Sequence, residues 1–149
     1  MPKVNLEAIE RTNRTGYPAP HSDPMDKRWY RRIAPAAGLK DFGVSHVVLE
    51  AGGLSSQRHW HEGEDEIVVM LSGEAVLIED EGETIMRPGD IAAFPKNVPN
   101  GHHLVNRGTG PCVFVAVGRP PMTDCHYPDI DLLMDAAKSR FVHKDGSDY

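Results

Sequence analysis

Three histidines and one glutamate stand at spacings that suit a metal ion. His59 and His61 are separated by one residue, Glu66 follows His61 after four intervening residues, and His102 lies much further along, ahead of Asn106. Side chains alternate along a strand, so His59 and His61 share a face of any extended segment that carries them. A carboxylate from Glu66 and a third imidazole from His102 on neighbouring strands close a mixed nitrogen and oxygen set. Such a set suits one divalent transition metal per chain, Fe, Mn, Ni, Cu or Zn. It is poor for Ca and Mg, which prefer oxygen shells. Three neutral imidazoles and one carboxylate leave a divalent ion net positive, with positions open for water or a chelating substrate. The ion would then act as a Lewis acid.

Other residues compete for these roles. His103 is an alternative to His102, but His102 shares its strand face with Leu104 and Asn106 and is preferred. Glu64 and Asp65 neighbour Glu66 and read as solvated loop acids. His21, His46, His126 and His143 read as surface or structural histidines. The same periodicity walls the pocket with Val68, Met70, Leu104 and Phe94. No Lys or Arg falls clearly on that side, which argues against sugar phosphates, because phosphate groups call for Arg or Lys clamps. Gln57, Arg58, Tyr30 and His103 are candidate helpers around the metal.

The elements that must hold these residues are short strands. Candidates are 44–51, 67–71, 75–79, 83–86, 91–94, 102–106 and 112–117, separated by turn chemistry at Ser72-Gly73, Asp80-Glu81-Gly82, Pro88-Gly89-Asp90, Asn100-Gly101 and Gly108–Pro111. Pro88-Gly89 suits a type II turn, in which Pro presets φ and Gly supplies φ > 0. Both faces of strand 44–51 are largely apolar, so which one points inward is open. Close-spaced strands define an all-β class, a sandwich, jelly roll or barrel. Residues 1–40 read as an irregular arm in which Pro18, Pro20, Pro24 and Pro35 rule out long helices, with a short helical stretch near Leu6–Arg11. After Pro120-Pro121, the segment Asp129–Ala137 reads as a short amphipathic helix in the tail, residues 119–149.

Length and charge narrow the function classes. The chain has 149 residues, a formal charge of −6 and a pI near 5.7, which predicts a single domain, 1–149, with a core at about 43–118. An acidic chain without a basic block is not expected to bind nucleic acid. Its one basic-aromatic cluster, 27–32, reads as a solvated stretch of the arm. Two cysteines give no disulfide framework. No apolar run approaches the ~20 residues of a membrane helix and no signal peptide opens the chain, so the expectation is a cytoplasmic protein with no membrane partner.

The run Gly53-x5-His59-x-His61-x4-Glu66-x6-Gly73 resembles the first motif of the cupin superfamily. Gly89, Pro95, His102 and Asn106 resemble the second, with two departures. Asn97 stands at the position of the second glycine, a substitution that αL-tolerant Asn permits. The gap from Pro95 to His102 is also two residues longer. The stretch Pro99–Asn106 and the tail His126–Leu132 are similar to small bacterial single-domain cupins. The resemblance implies a cupin-type β-jelly-roll barrel, His59, His61, Glu66 and His102 as metal ligands, and a homodimer. It does not imply a reaction.

Function is therefore open between classes. The leading expectation is a metal-dependent enzyme acting on a small oxygen-chelating molecule, first a dioxygenase, then an isomerase or lyase. The alternative is a non-catalytic small-molecule-binding or sensor module. An enzyme should carry a titratable non-ligand group beside the metal.

Overall fold

The computed structural model describes residues 3–149. Antiparallel strands dominate it: β1 (Arg28–Arg32), β2 (Gly43–Leu49), β3 (Trp60–His61), β4 (Glu66–Ser72), β5 (Ala75–Glu79), β6 (Gly82–Met86), β7 (Ile91–Phe94), β8 (His103–Val105), β9 (Cys112–Gly118), β10 (Cys125–Tyr127), β11 (Leu132–Asp135) and β12 (Arg140–Val142). One sheet has the order β1-β2-β9-β4-β7, a second β12-β11-β10-β3 and a third β6-β5-β8. Bridges between His59 and His102 and between Leu54 and Val105 join the second and third sheets. Every strand expected between residues 44 and 117 is present, with ends shifted by two residues at most.

The open question about β2 is answered by burial. Val47 and Leu49 are buried, and they join Val68, Met70, Leu77, Leu104, Phe114 and Cys112 in the main core. Turn chemistry behaves as its residues dictate. Gly89 takes φ +93° inside a turn closed by Asp90 N–H donating to the Arg87 carbonyl, and Asn97 takes φ +58°. The Asn97 N–H donates to the His61 carbonyl at 2.8 Å, so this left-handed turn is tied to the strand that carries two of the imidazoles.

Two expectations for the flanks are overturned. Asp129–Ala137 is not helical: β10, β11 and β12 form a meander in which Leu132 pairs with Tyr127, and Met134 with both Cys125 and Phe141. The three-residue apolar run Leu132–Met134 is ambiguous in period, and so short a helix has little stability of its own. Strand pairing with β10, which continues to β3, wins. Leu132 packs fully buried with Cys125 and Tyr127 against Tyr17, Ile130, Met134 and Phe141. Nor is 27–32 a solvated stretch. It contains β1, which pairs with β2 from Arg28↔Leu49 to Arg32↔Ser45 and is held on its outer side by paired hydrogen bonds between Thr12 and Tyr30. The rest of the arm holds only short turns of helix, at Leu6–Ala8, Asp23–Met25 and Ile33–Ala36. Among the described residues, no helix is long and apolar enough to cross a membrane.

Candidate metal centre

Two strand segments put the imidazoles face to face. His59 and His102 exchange both backbone hydrogen bonds, at 3.2 and 2.9 Å, which makes them directly opposed cross-strand partners with side chains on one face. Their rings lie 4.9 Å apart, and His61, two residues along, brings its ring within 4.9 Å of His59. Glu66 opens β4 on the facing sheet. Its Oε2 lies 3.4 Å from His59 Nε2, 3.3 Å from His61 Nε2 and 3.1 Å from His102 Nε2. All four residues named from the sequence thus converge on one point. Phe94, the cross-strand partner of Glu66, stacks on His102 with ring centroids 3.6 Å apart.

The hydrogen bonds fix the tautomers. His59 Nδ1 lies 2.9 Å from the Gln57 carbonyl oxygen, and His102 Nδ1 lies 3.1 Å from the Asn100 carbonyl oxygen. A carbonyl only accepts, so both Nδ1 atoms carry hydrogen, which turns each Nε2 toward the cluster centre. Donor atoms about 3.0–3.4 Å apart are what bonds of about 2.1 Å to one ion require. The residues present therefore fit a divalent transition metal, and backbone carbonyls supply the outer contacts that orient such ligands.

Electrostatics agree. Burial opposes ionisation of Glu66, but hydrogen bonds to His102, His59 and His61 hold its pKa well below the usual carboxylate range. Burial also opposes a charged His61, yet Cys125 and Glu66 raise its pKa to about 10. His61 Nδ1 is buried without a hydrogen-bond partner. Cys125 is a neighbour that spacing did not reveal: it pairs with His61 across β3 and β10, and His59, His61 and Cys125 form a second group able to hold a metal.

Glu64 is a correction. It is buried, not solvated, and accepts from Met122 N–H at 2.6 Å, Thr123 N–H at 3.0 Å and the Thr123 hydroxyl at 2.8 Å. Burial pushes its pKa up, and these bonds outweigh it, leaving the carboxyl below its ordinary value. Gly63 lets the two loops meet, since a Cβ there would lie 2.6 Å from Thr123. Asp65 is exposed, as expected. Asn106 is buried and spends its side chain on Leu49, Gly108 and Gly110 of the backbone. His21, His46, His126 and His143 lie outside the cluster. His126 binds Glu62 and stacks on Trp60, while His143 binds Asp131.

A cavity of about 380 Å³ opens beside the cluster, with His59, Glu66 and His102 on its floor. Val68, Leu104 and Phe94 line it as expected, joined by Phe114 and Tyr17; Met70 is core instead. His103 lines it as well, its Nδ1 bound to the Ser56 carbonyl at 2.9 Å and its pKa lowered by burial. Of the other helpers, Tyr30 lines the cavity. Gln57 turns its side chain to the His21 carbonyl. Arg58 does not line it and is bidentate to Asp129 at 2.7 Å and also bonded to Asp80. The expectation that no cation reaches this side fails: Arg14, Arg28 and Arg32 line the same cavity. They come from the arm and β1, whose docking no spacing rule announced.

The Cupin_2 family (cupin domain) matches residues 45–118. A structure from Silicibacter pomeroyi, described as a sugar phosphate isomerase from a cupin superfamily, is 42% identical, covers 99% of this chain and 96% of its own, and superposes with a TM-score of 0.92. A second, from Acidithiobacillus ferrooxidans and provisionally described as a sugar phosphate isomerase, is 26% identical over 77% of this chain and 74% of its own, TM-score 0.69. The polyketide cyclase RemF from Streptomyces resistomycificus, at 20% identity over 81% of this chain and 82% of its own, TM-score 0.63, shares the fold. No curated protein matches the sequence. The chain belongs to the cupin superfamily.

Proposed function

We propose that this chain is a metal-dependent isomerase of a small α-hydroxycarbonyl compound. The observation that carries the reading is the convergence of three Nε2 atoms on one Glu66 oxygen at the floor of a cavity that also holds a non-ligand imidazole, His103. The likeness to the Silicibacter pomeroyi protein supports it. In this reading His59, His61, Glu66 and His102 hold one divalent transition metal. When bound, the ion would supply Lewis acidity to adjacent substrate oxygens.

The chain's own residues then do the remaining work. Shifting a carbonyl by one carbon removes a proton from one carbon and returns one to its neighbour, with no oxidant consumed. His103 is our candidate to carry that proton at Nε2, because Nδ1 is engaged by Ser56. Phe94, Phe114, Val68 and Leu104 exclude water from the carbon skeleton. The test is proton exchange. Metal-loaded protein incubated with a panel of aldoses, ketoses and their phosphates in D₂O should place deuterium at the carbon next to the carbonyl, read by NMR. His103→Gln should lose that exchange and keep its metal. No exchange with any member of the panel rejects the isomerase.

A second reading, oxygenation, is favoured by one feature: the apolar side of the cavity beside an open three-histidine, one-carboxylate set. Oxygen uptake by the Fe-loaded protein with enediols separates the two. Ligand binding without either turnover would leave a binding module.

A further inference from the structure

One strand face carries charge that the cluster does not use. Arg28, Tyr30 and Arg32 alternate along β1, so they share one face. Their partners on β2, Leu49, Val47 and Ser45, include two buried core residues, and all three side chains line the cavity. Trp29 and Arg31 take the opposite face, where Arg11 lies over Trp29 and Arg31 pairs with Glu7. The two cavity-facing guanidiniums flank the same ring, 5.1 and 5.9 Å from the Tyr30 centroid.

Among the described residues, neither Arg28 nor Arg32 has a carboxylate partner. Arg28 bonds only carbonyl oxygens, of Ser55 at 3.1 Å and Arg14 at 3.4 Å, and its Nε is shielded from solvent with no partner. Burial lowers its pKa, and Arg32 adds to that. Like charges held together in this way are costly unless an anion joins them. The contrast with the rest of the molecule is informative. Arg31, Arg58 and Arg107 each have an acidic partner, in a chain whose net charge is −6. Arg14, also on the wall, is already paired with Glu10.

We propose that Arg28 and Arg32 form a phosphate-monoester site on the cavity wall, which grips the far end of the substrate while its carbonyl end reaches the imidazole–carboxylate floor. The placement of the carbonyl end rests on the isomerase reading above. Guanidinium forks match tetrahedral oxyanions bidentately, and a monoester carries a charge of about −1.5 to −2 at neutral pH. The free Nε of Arg28 is a donor still available for such a bond.

The experiment is calorimetric titration of inorganic phosphate into metal-free protein, so that the anion cannot be held by a metal. Wild type should saturate. Arg28→Met and Arg32→Met should each weaken binding about tenfold or more, while Arg31→Met, on the other face of the same strand, should leave it within twofold. Arg32 is exposed and its substitution should spare the fold, so it decides the matter if Arg28→Met fails to fold. Acetate binding as tight as phosphate would reassign the wall to carboxylates and overturn the proposal. So would an absence of saturation, or a loss shared equally by Arg31→Met. Phosphate binding that depends on Arg28 and Arg32, alongside no deuterium exchange, would sink the isomerase and leave this site standing.

Discussion

The floor and the wall of the cavity are built on opposite principles. On the floor, four groups meet at one point, and backbone carbonyls fix the tautomers of His59 and His102. Phe94 stacking braces His102. On the wall, Arg28 and Arg32 flank the Tyr30 ring and, among the described residues, have no acidic partner. A converging, over-determined cluster suits bond chemistry, which tolerates little misplacement. A pair of cations without an acidic partner suits recognition of an anion. On the function proposed above, chemistry and selectivity are separable, and each can be broken alone.

The largest expected effect is on the floor. Plain metal analysis should find about one transition metal per chain in wild type and almost none in His61→Ala. Alterations around ligands alone cost about 10–100-fold in affinity, and this removes a direct donor. Arg32→Met should keep its metal in the same assay. Metal lost from both variants would show that floor and wall are one unit.

Next comes Glu64, which clamps the loop at Met122 and Thr123 behind the floor. Glu64→Ala should cost about 2–3 kcal/mol, since three donors lose a charged acceptor, read by denaturant unfolding. Its folded pKa lies below the ordinary 4.5. Its contribution is therefore complete above that value and is lost as pH falls through the lower, folded value. Glu64→Gln should flatten that acid limb, and an unchanged limb would assign acid sensitivity elsewhere.

Metal removal should follow closely in size. At free metal a hundred times Kd, binding adds about 2.7 kcal/mol, so a chelator should lower Tm by roughly 5–10 °C, reversibly. The smallest effect belongs to Asn97, whose turn is bonded to the His61 carbonyl. Asn97→Ala should cost about 1–2 kcal/mol at its positive φ, and Asn97→Gly should be close to neutral. Equal loss from both would mean that the Asn side chain, not the backbone, is what matters. The homodimer implied by family resemblance remains our proposal. Leu132 and Met25 are spent on the chain's own core, and Leu39, Phe42 and Met122 are among the exposed apolar groups left to cover. Light scattering at twice 16.5 kDa is the expected result.

Legibility followed sequence distance and period. His59, His61 and Glu66 lie within eight positions of one another, and the alternation of strands is enough to put them on shared faces. His102 was separable from His103 because Leu104 and Asn106 extend its face, and both are buried. Arg28, Tyr30 and Arg32 have the same alternation, yet 27–32 reads as a solvated stretch with Tyr30 alone as a candidate helper, because nothing local says that β2 receives them. The tail failed differently. Leu132, Leu133 and Met134 fit a helix or a strand equally well, and only the open edge of β10 decided between them.

The amino-acid sequence by itself thus determined the run of strands, the turns and the residues that meet on the floor, because periodicity and turn stereochemistry act within a few residues. Tertiary structure alone decided the charged wall, the Cys125 neighbour, the Glu64 clamp and the strand identity of the tail. These arise where distant segments pair. That pairing is set by which edge and which buried face remain to be satisfied, a property of the assembled sheets and of no single stretch of chain.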